Sequence, residues 1–310
     1  MLPIFESILP VFLVVILGAL MKRAPWIPDQ MWDGLERVGY YMLFPALLFT
    51  TLSTANFGSL PAGKITVAAL GMIAAVTFVL LAGWPLARRA GIPASTYTSI
   101  FQTTSRWNGF VALAVAEKLY GKPGIEVVAY VMAIIVLPLN VINVGVLLSM
   151  TGSGRTLGDF LKQFIRNPII LGCGIGVIFN LLHIHVYPPL EDTIEMVART
   201  SLPLGLMMLG AGLRISDALR PGAAALWPVG LKLLFTPLMV VLFGVAMGID
   251  GVTLLALCVC GAVPTAMNGY LLAKQMGGDA PLYAAVTTLQ TAASFFTIPL
   301  ALYLTAYVAG

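Results

Sequence analysis

Charge is scarce in this chain: 10% of its 310 residues are Asp, Glu, Lys or Arg, against 59% hydrophobic. That is too little polar surface to cover a soluble domain of this length. Histidine and cysteine are scarcer still, two and three residues, and neither is grouped for chemistry. His183 and His185 stand as His-Ile-His with no third ligand near them, which argues against a metal centre. Cys173, Cys258 and Cys260 fall inside apolar stretches without the spacing of a metal or redox motif and read as buried thiols. There is no Gly-x-Ser-x-Gly elbow, no paired aspartates and no His/Glu pair, so an enzyme embedded in a membrane lacks its nucleophile, base and metal ligands. The first residues, MLPIFESILPVFLVVILGALMKR, have no basic leader and no small-residue cleavage site, and so read as a first membrane span rather than a signal peptide.

What is present is length in apolar runs. A span needs roughly 20 residues to cross about 30 Å of hydrocarbon. On that rule the chain divides into ten predicted spans, near 3–22, 34–54, 63–88, 95–119 and 123–150 in the first half, and near 166–185, 192–213, 222–248, 253–276 and 280–308 in the second. The fold class expected is therefore an all-α membrane protein, a single transmembrane domain over 1–310 with short connectors.

The net charge of +4 reflects topology rather than affinity for nucleic acid. Lys22, Arg23, Arg37, Arg88, Arg89, Arg155, Lys162, Arg166, Arg214, Arg220 and Lys274 lie by the connectors of one side; opposite them are Lys64, Lys118 and Lys122. Basic connectors face the cytoplasm. The expectation is a multi-pass protein of the inner (plasma) membrane with both termini extracytoplasmic.

An internal repeat organises the spans. LFPALLFTTLSTANFGSL from Leu43 resembles SLPLGLMMLGAGLRISDAL from Ser201, aligning Pro45 with Pro203 at an offset of 158. Asn108-Gly109-Phe110 matches Asn268-Gly269-Tyr270 at 160, and Pro138 matches Pro299 at 161. Five spans per unit is odd, so the second unit enters the membrane from the opposite side. Two inverted repeats, approximately 1–150 and 160–310, are expected, related by a pseudo-two-fold axis in the membrane plane.

In each unit the fourth span is interrupted. Span 4 contains SIFQTTSRWNGF from Ser99, and span 9 contains VPTAMNGY from Val263. A helix in lipid can open only where protein or a water-lined cavity satisfies the freed backbone groups. A matching pair of such breaks marks a transporter's binding site.

These residues carry a family resemblance. FPALLF at 44–49, RNPII at 166–170, SLPLGLMMLGAGL at 201–213 and the Asn-containing breaks, in that order and spacing, resemble the auxin efflux carrier family in its bacterial branch, which groups plant PIN-type carriers with bacterial organic-acid permeases. The resemblance covers essentially the whole chain. It implies a fold similar to the sodium/proton antiporters and bile-acid/sodium symporters, with broken crossover helices 4 and 9 in a domain that moves against a scaffold. The plant carriers have proline at both crossovers, whereas span 4 here has Asn-Gly without proline, which leaves open whether that helix is broken.

The expected substrate-binding residues lie at these breaks: Arg106, Asn108, Asn268, Pro264, Thr104, Ser105, Gly109, Gly269 and Gln290. A guanidinium at the middle of a span costs roughly 2.5 to 3.5 kcal/mol on insertion scales and matches a carboxylate with two parallel hydrogen bonds. The alternatives are an internal pair of Arg106 with a carboxylate such as Glu117 or Glu126, or a place close enough to an interface to snorkel. Asn108 and Asn268 can satisfy freed backbone or reach a ligand. Pro264 removes a donor and opens span 9. Arg199 has a helical partner four residues away in Glu195, whereas Lys232 has no local acid. The expected function is secondary transport of a small organic anion, a mono- or dicarboxylate including an auxin-like acid, by alternating access. A sodium-coupled symporter of a larger acid, and a ligand sensor or channel on the same frame, are the alternatives. No cofactor is expected, and no acid lies within either crossover, so coupling to sodium or to protons is left open. Related crossover folds are often homodimers, but no apolar face singles out an interface.

Overall fold

The computed structural model describes residues 2–56, 60–151, 167–219 and 222–309. Arg155, Lys162, Arg166 and Arg220, used above for orientation, lie outside the described residues. Within them the structure is helical, without a strand.

Helix α1 spans Leu2–Met21. Helices α2 (Asp29–Val38) and α3 (Phe44–Ser53) are joined by a π-helical turn, Gly39–Leu43. Then come α4 (Ala62–Arg89), α5 (Ala94–Ser105) and α6 (Gly109–Thr151), the last jointed at Gly121, whose φ of 60° is left-handed. The second half holds α7 (Pro168–Leu181), α8 (Pro188–Arg199), α9 (Ser201–Gly212) and the short α10 (Ile215–Ala218). A π-helical turn, Leu231–Phe235, joins α11 (Ala223–Gly230) to α12 (Thr236–Ala246). Helices α13 (Gly251–Ala262), α14 (Asn268–Gln275) and α15 (Ala280–Ala306) complete the chain. Among the described residues five segments are long and apolar enough to cross a membrane unaided: Leu2–Met21, Ala62–Arg89, Ala94–Thr151, Ala224–Ala246 and Ala280–Ala306.

Both π-helical turns have one cause. Pro45 and Pro237 sit at the second position of α3 and α12. A proline ring crowds the carbonyl four residues back and leaves it without a donor. Widening the preceding turn by one residue makes room. The wide bonds run from Phe44 N–H to the Gly39 carbonyl and from Thr236 N–H to the Leu231 carbonyl. The Ser201 hydroxyl of α9 then donates to the Leu43 carbonyl at 2.6 Å, fastening the first of these turns to the second half of the chain.

Helix pairs without a hydrophobic drive in lipid depend on close backbone approach through small residues. Helix α1 crosses α9 at two glycines: a Cβ on Gly18 would overlap the Met207 carbonyl, and one on Gly210 would overlap the Val15 carbonyl. Helix α7 lies on α3 in the same way, Gly172 against the Pro45 carbonyl (2.7 Å from a built Cβ) and Gly176 against that of Phe49 (2.9 Å). These pairs form one panel; α4, α5, α6 and α11 to α15 pack as the other. The two panels meet where Phe110, opening α6, stacks on Phe44 at 3.9 Å between ring centroids, over Gly205, and where Phe5 and Phe12 of α1 pack on Phe295 of α15. Gly210→Val is expected to part α1 from α9. The check is the melting temperature of detergent-purified protein, which should fall by several degrees while Gly222→Val, which meets nothing within 4 Å, leaves it in place.

Candidate crossover site

Residues Arg106, Trp107 and Asn108 are not helical, and Arg106 has extended backbone (φ −70°, ψ 158°). Span 4 is thus broken without a proline, which answers the question the sequence left open. In the second half, residues 263–267 separate α13 from α14. The breaks touch: Asn108 N–H donates to the Pro264 carbonyl at 2.8 Å.

A break strands backbone groups that lipid cannot solvate, and several of them find partners in the protein. Gln290 of α15, fully buried, accepts from Thr265 N–H at 2.9 Å and donates through Nε2 to the carbonyls of Thr103 and Pro228, both at 3.0 Å. One amide therefore joins both breaks and the helix before the second π-helical turn. The Asn108 Oδ1 accepts from Phe110 and Val111 N–H at 3.1 Å, capping α6 as an N-cap asparagine does. Helix α14 begins with no side-chain cap.

The remaining predicted residues fall as follows. Thr104 donates back to the Ile100 carbonyl at 2.9 Å, the in-helix bond that keeps hydroxyls content in apolar surroundings. Ser105 donates to Asn143 Oδ1 at 2.9 Å. Gly109 is confined by the Met132 sulfur. Gly269 must be glycine because the Tyr283 hydroxyl occupies the place of a side chain; that hydroxyl donates to the Ala266 carbonyl at 2.6 Å and lies 3.3 Å from Thr265 Oγ1. Asn268 is exposed, and among the described residues its amide makes no hydrogen bond. Tyr283 went unnoticed in the sequence, where a lone tyrosine in an apolar span carries no signal. Asn140 and Asn143, three apart on α6, face the first break, accepting from Arg106 and Ser105.

Arg106 is 7% exposed. Its Nε donates to Gln102 Oε1 at 3.4 Å and one terminal nitrogen to Asn140 Oδ1 at 3.1 Å. Among the described residues the ion pairs are Lys22 with Asp29 and Arg199 with Glu195, each at 2.7 Å. The alternative pairing of Arg106 with Glu117 or Glu126 is therefore overturned, while the Arg199 pair stands at its helical spacing. Arg106 holds five N–H donors; amide oxygens meet two of them, and among the described residues no carboxylate meets any. Asn140 and Asn143 are themselves fixed by back-bonds to the Val136 and Leu139 carbonyls. Close by, Ser99 Oγ and Gln102 Nε2 are buried without partners. A cavity of about 430 Å3 among Trp84, Pro85, Arg88 and Arg89 lies at the end of α4. The buried polar groups converge instead at the breaks.

The two broken helices thus touch at their breaks, with buried polar residues at the gap. Residues 155–302 match a family model described as membrane transport protein. An uncharacterized transporter of Methanothermobacter thermautotrophicus is 24% identical over 298 residues, 95% of this chain and 96% of the relative. The uncharacterized transporter YfdV of Escherichia coli K12 is 22% identical over 279 residues, 87% of each, and YfdV of Shigella flexneri matches equally. These likenesses indicate a membrane transporter rather than an enzyme, multi-pass and embedded in lipid, and similar to the auxin efflux carrier family.

Proposed function

We propose that the protein is a secondary transporter of a small organic anion, a mono- or dicarboxylate, which it binds where the two breaks meet and passes across the inner membrane by alternating access. The observation that carries this reading is the Arg106 guanidinium: buried beside both breaks, oriented by two amides, and without a carboxylate of the chain among the described residues. A buried charge is tolerated when it is paired, and a substrate carboxylate is the missing partner, held by two parallel bonds. The uncapped start of α14 adds N–H groups and the positive end of a short dipole. Asn268, exposed beside it, is the second polar contact. Asn108, Thr104, Pro264 and Gln290 shape the gap through the backbone, Ser105 through the Asn143 side chain, and Gly109 and Gly269 give Met132 and Tyr283 their room.

The frame of this reading is ten spans in two inverted five-helix repeats over one domain. In support, Gly18 abuts the Met207 carbonyl and Gly176 abuts that of Phe49. Adding 158 to Gly18 gives 176, and subtracting it from Met207 gives 49, so the two contacts exchange under the Pro45-to-Pro203 offset. That is what a pseudo-two-fold axis does. The basic connectors orient both termini outward. The panel built on α1, α3, α7 and α9 acts as scaffold, and the crossover panel slides or rocks against it at Phe44 and Phe110.

Counterflow tests it. Proteoliposomes loaded in turn with unlabelled malonate, malate or indole acetate should transiently accumulate the same labelled acid from outside, which only a carrier does. Downhill leak without overshoot would mean a channel, and no movement of any acid would remove the anion assignment.

A further inference from the structure

Among the described residues Lys232 is the one other basic side chain fully inside the crossover panel, 1% exposed. It sits in the π-helical turn Leu231–Phe235, and among the described residues it has neither a hydrogen bond nor an ion pair. Register places it at the second break. Helices α12 and α13 run antiparallel, with Gly244 against Leu254 and Gly261 against Pro237 (2.7 Å from a built Cβ to the Pro237 Cα). Carrying that register one turn further back from Pro237 brings Lys232 alongside residues 263–267. Gln290 fixes the same level independently, since it ties the Pro228 carbonyl, one turn before Lys232, to Thr265 N–H inside the break.

The elements packed on this turn are α5, α11, α12, α13 and α15. Not one of the five contains an Asp or Glu anywhere in its length. Their titratable groups are Tyr97 on α5, with Arg106 just past its end, Cys258 and Cys260 on α13, and Tyr283 and Tyr303 on α15; Cys260 is the electrostatic neighbour of Lys232. Each first half-helix of the crossover thus ends beside one buried base, Arg106 for α5 and Lys232 for α13. The two differ in chemistry. A guanidinium stays charged, whereas a buried lysine can gain or lose its proton. An ammonium held without an opposite charge bears a desolvation cost, and an anion in the adjacent gap offsets it.

We propose that Lys232 is the proton-carrying group of the crossover site: charged while an anion occupies the gap, neutral when the gap is empty. This rests on the anion reading above and adds its coupling. A proton from water entering with the substrate bonds to the Nζ lone pair; on the far side the anion leaves, the N–H bond breaks, and the proton returns to water. One proton crosses with each anion, so a monocarboxylate moves without net charge and a dicarboxylate carries one negative charge.

Calorimetric titration of malonate into the full-length purified protein, at one neutral pH in two buffers of different ionisation enthalpy, counts the protons taken up on binding, corrected for malonate's own ionisation. About one proton per malonate is expected for the unmodified protein by linkage. Close to none is expected for Lys232→Met and for Lys232→Arg, whatever happens to their affinity. Malonate binding to the unmodified protein without proton uptake overturns the assignment even if both variants fail to fold, and so does undiminished uptake in a folded variant. If neither malonate nor malate nor indole acetate binds, the anion reading itself falls, and this coupling with it.

Discussion

Arg106→Gln should cut binding of the transported acid at least about thirty-fold while leaving the empty protein as stable as before, or more so. The two halves of that expectation have one origin. Arg106 is buried with amide oxygens as its neighbours, so in the empty protein its charge is a cost, and a glutamine of lower polarity relieves it. With substrate present the guanidinium meets a carboxylate, and truncating one member of such a pair costs roughly 2–5 kcal/mol; the lower figure is about thirty-fold. Arg106→Lys should fall between the two, since an ammonium keeps the charge but not the paired donors. Thermal unfolding with and without malonate reads both quantities in one experiment. A variant that loses stability as well as binding would mean that Arg106 holds the fold rather than the ligand.

Gln290→Leu has the opposite signature, a loss of stability first and of transport as its consequence. Leucine fills a similar volume but leaves Thr265 N–H and the carbonyls of Thr103 and Pro228 without partners. Each buried orphan costs roughly 1–3 kcal/mol. Gln290→Glu keeps the acceptor and loses the donor, so it should retain the Thr265 bond alone and fall between. The melting temperature in detergent and malonate counterflow in liposomes separate the effects: protein that melts as before yet no longer transports would make Gln290 a ligand contact instead of a staple.

Much of this was legible in the sequence because lipid imposes simple rules. Apolar runs announce helices, and Arg106, Asn108 and Pro264 stand out where polar or donorless residues have no reason to be. The helices α5 and α6 and the pair α13 and α14 part close to where Asn-Gly and Pro-Thr predict. Span 4 was ambiguous for want of a proline, since proline forbids a helix whereas asparagine merely offers an alternative to it. What decided the matter is a tertiary bond, Asn108 N–H to the Pro264 carbonyl, which no local pattern encodes. Gln290 was read as a ligand contact because a lone amide in an apolar span advertises a partner without naming it; its partners are backbone groups 25, 62 and 187 residues away. Gly109 and Gly269 were read as part of the binding surface, but the space they leave is taken by Met132 and Tyr283. Lys232 could be seen in its span, yet its place beside the second break follows only from the register of α12 on α13.

The most direct measurement uses Asn268. With Cys173, Cys258 and Cys260 replaced by alanine, Asn268→Cys presents a thiol at the start of α14, where the side chain is exposed. A gap that water reaches and an anion fills predicts two results: a water-soluble, membrane-impermeant thiol reagent labels this cysteine, and malonate or whichever acid shows counterflow slows the labelling, a protection that Arg106→Gln removes. A cysteine at 268 that only lipid-soluble reagents reach, or one labelled at the same rate with and without every transported acid, would contradict it.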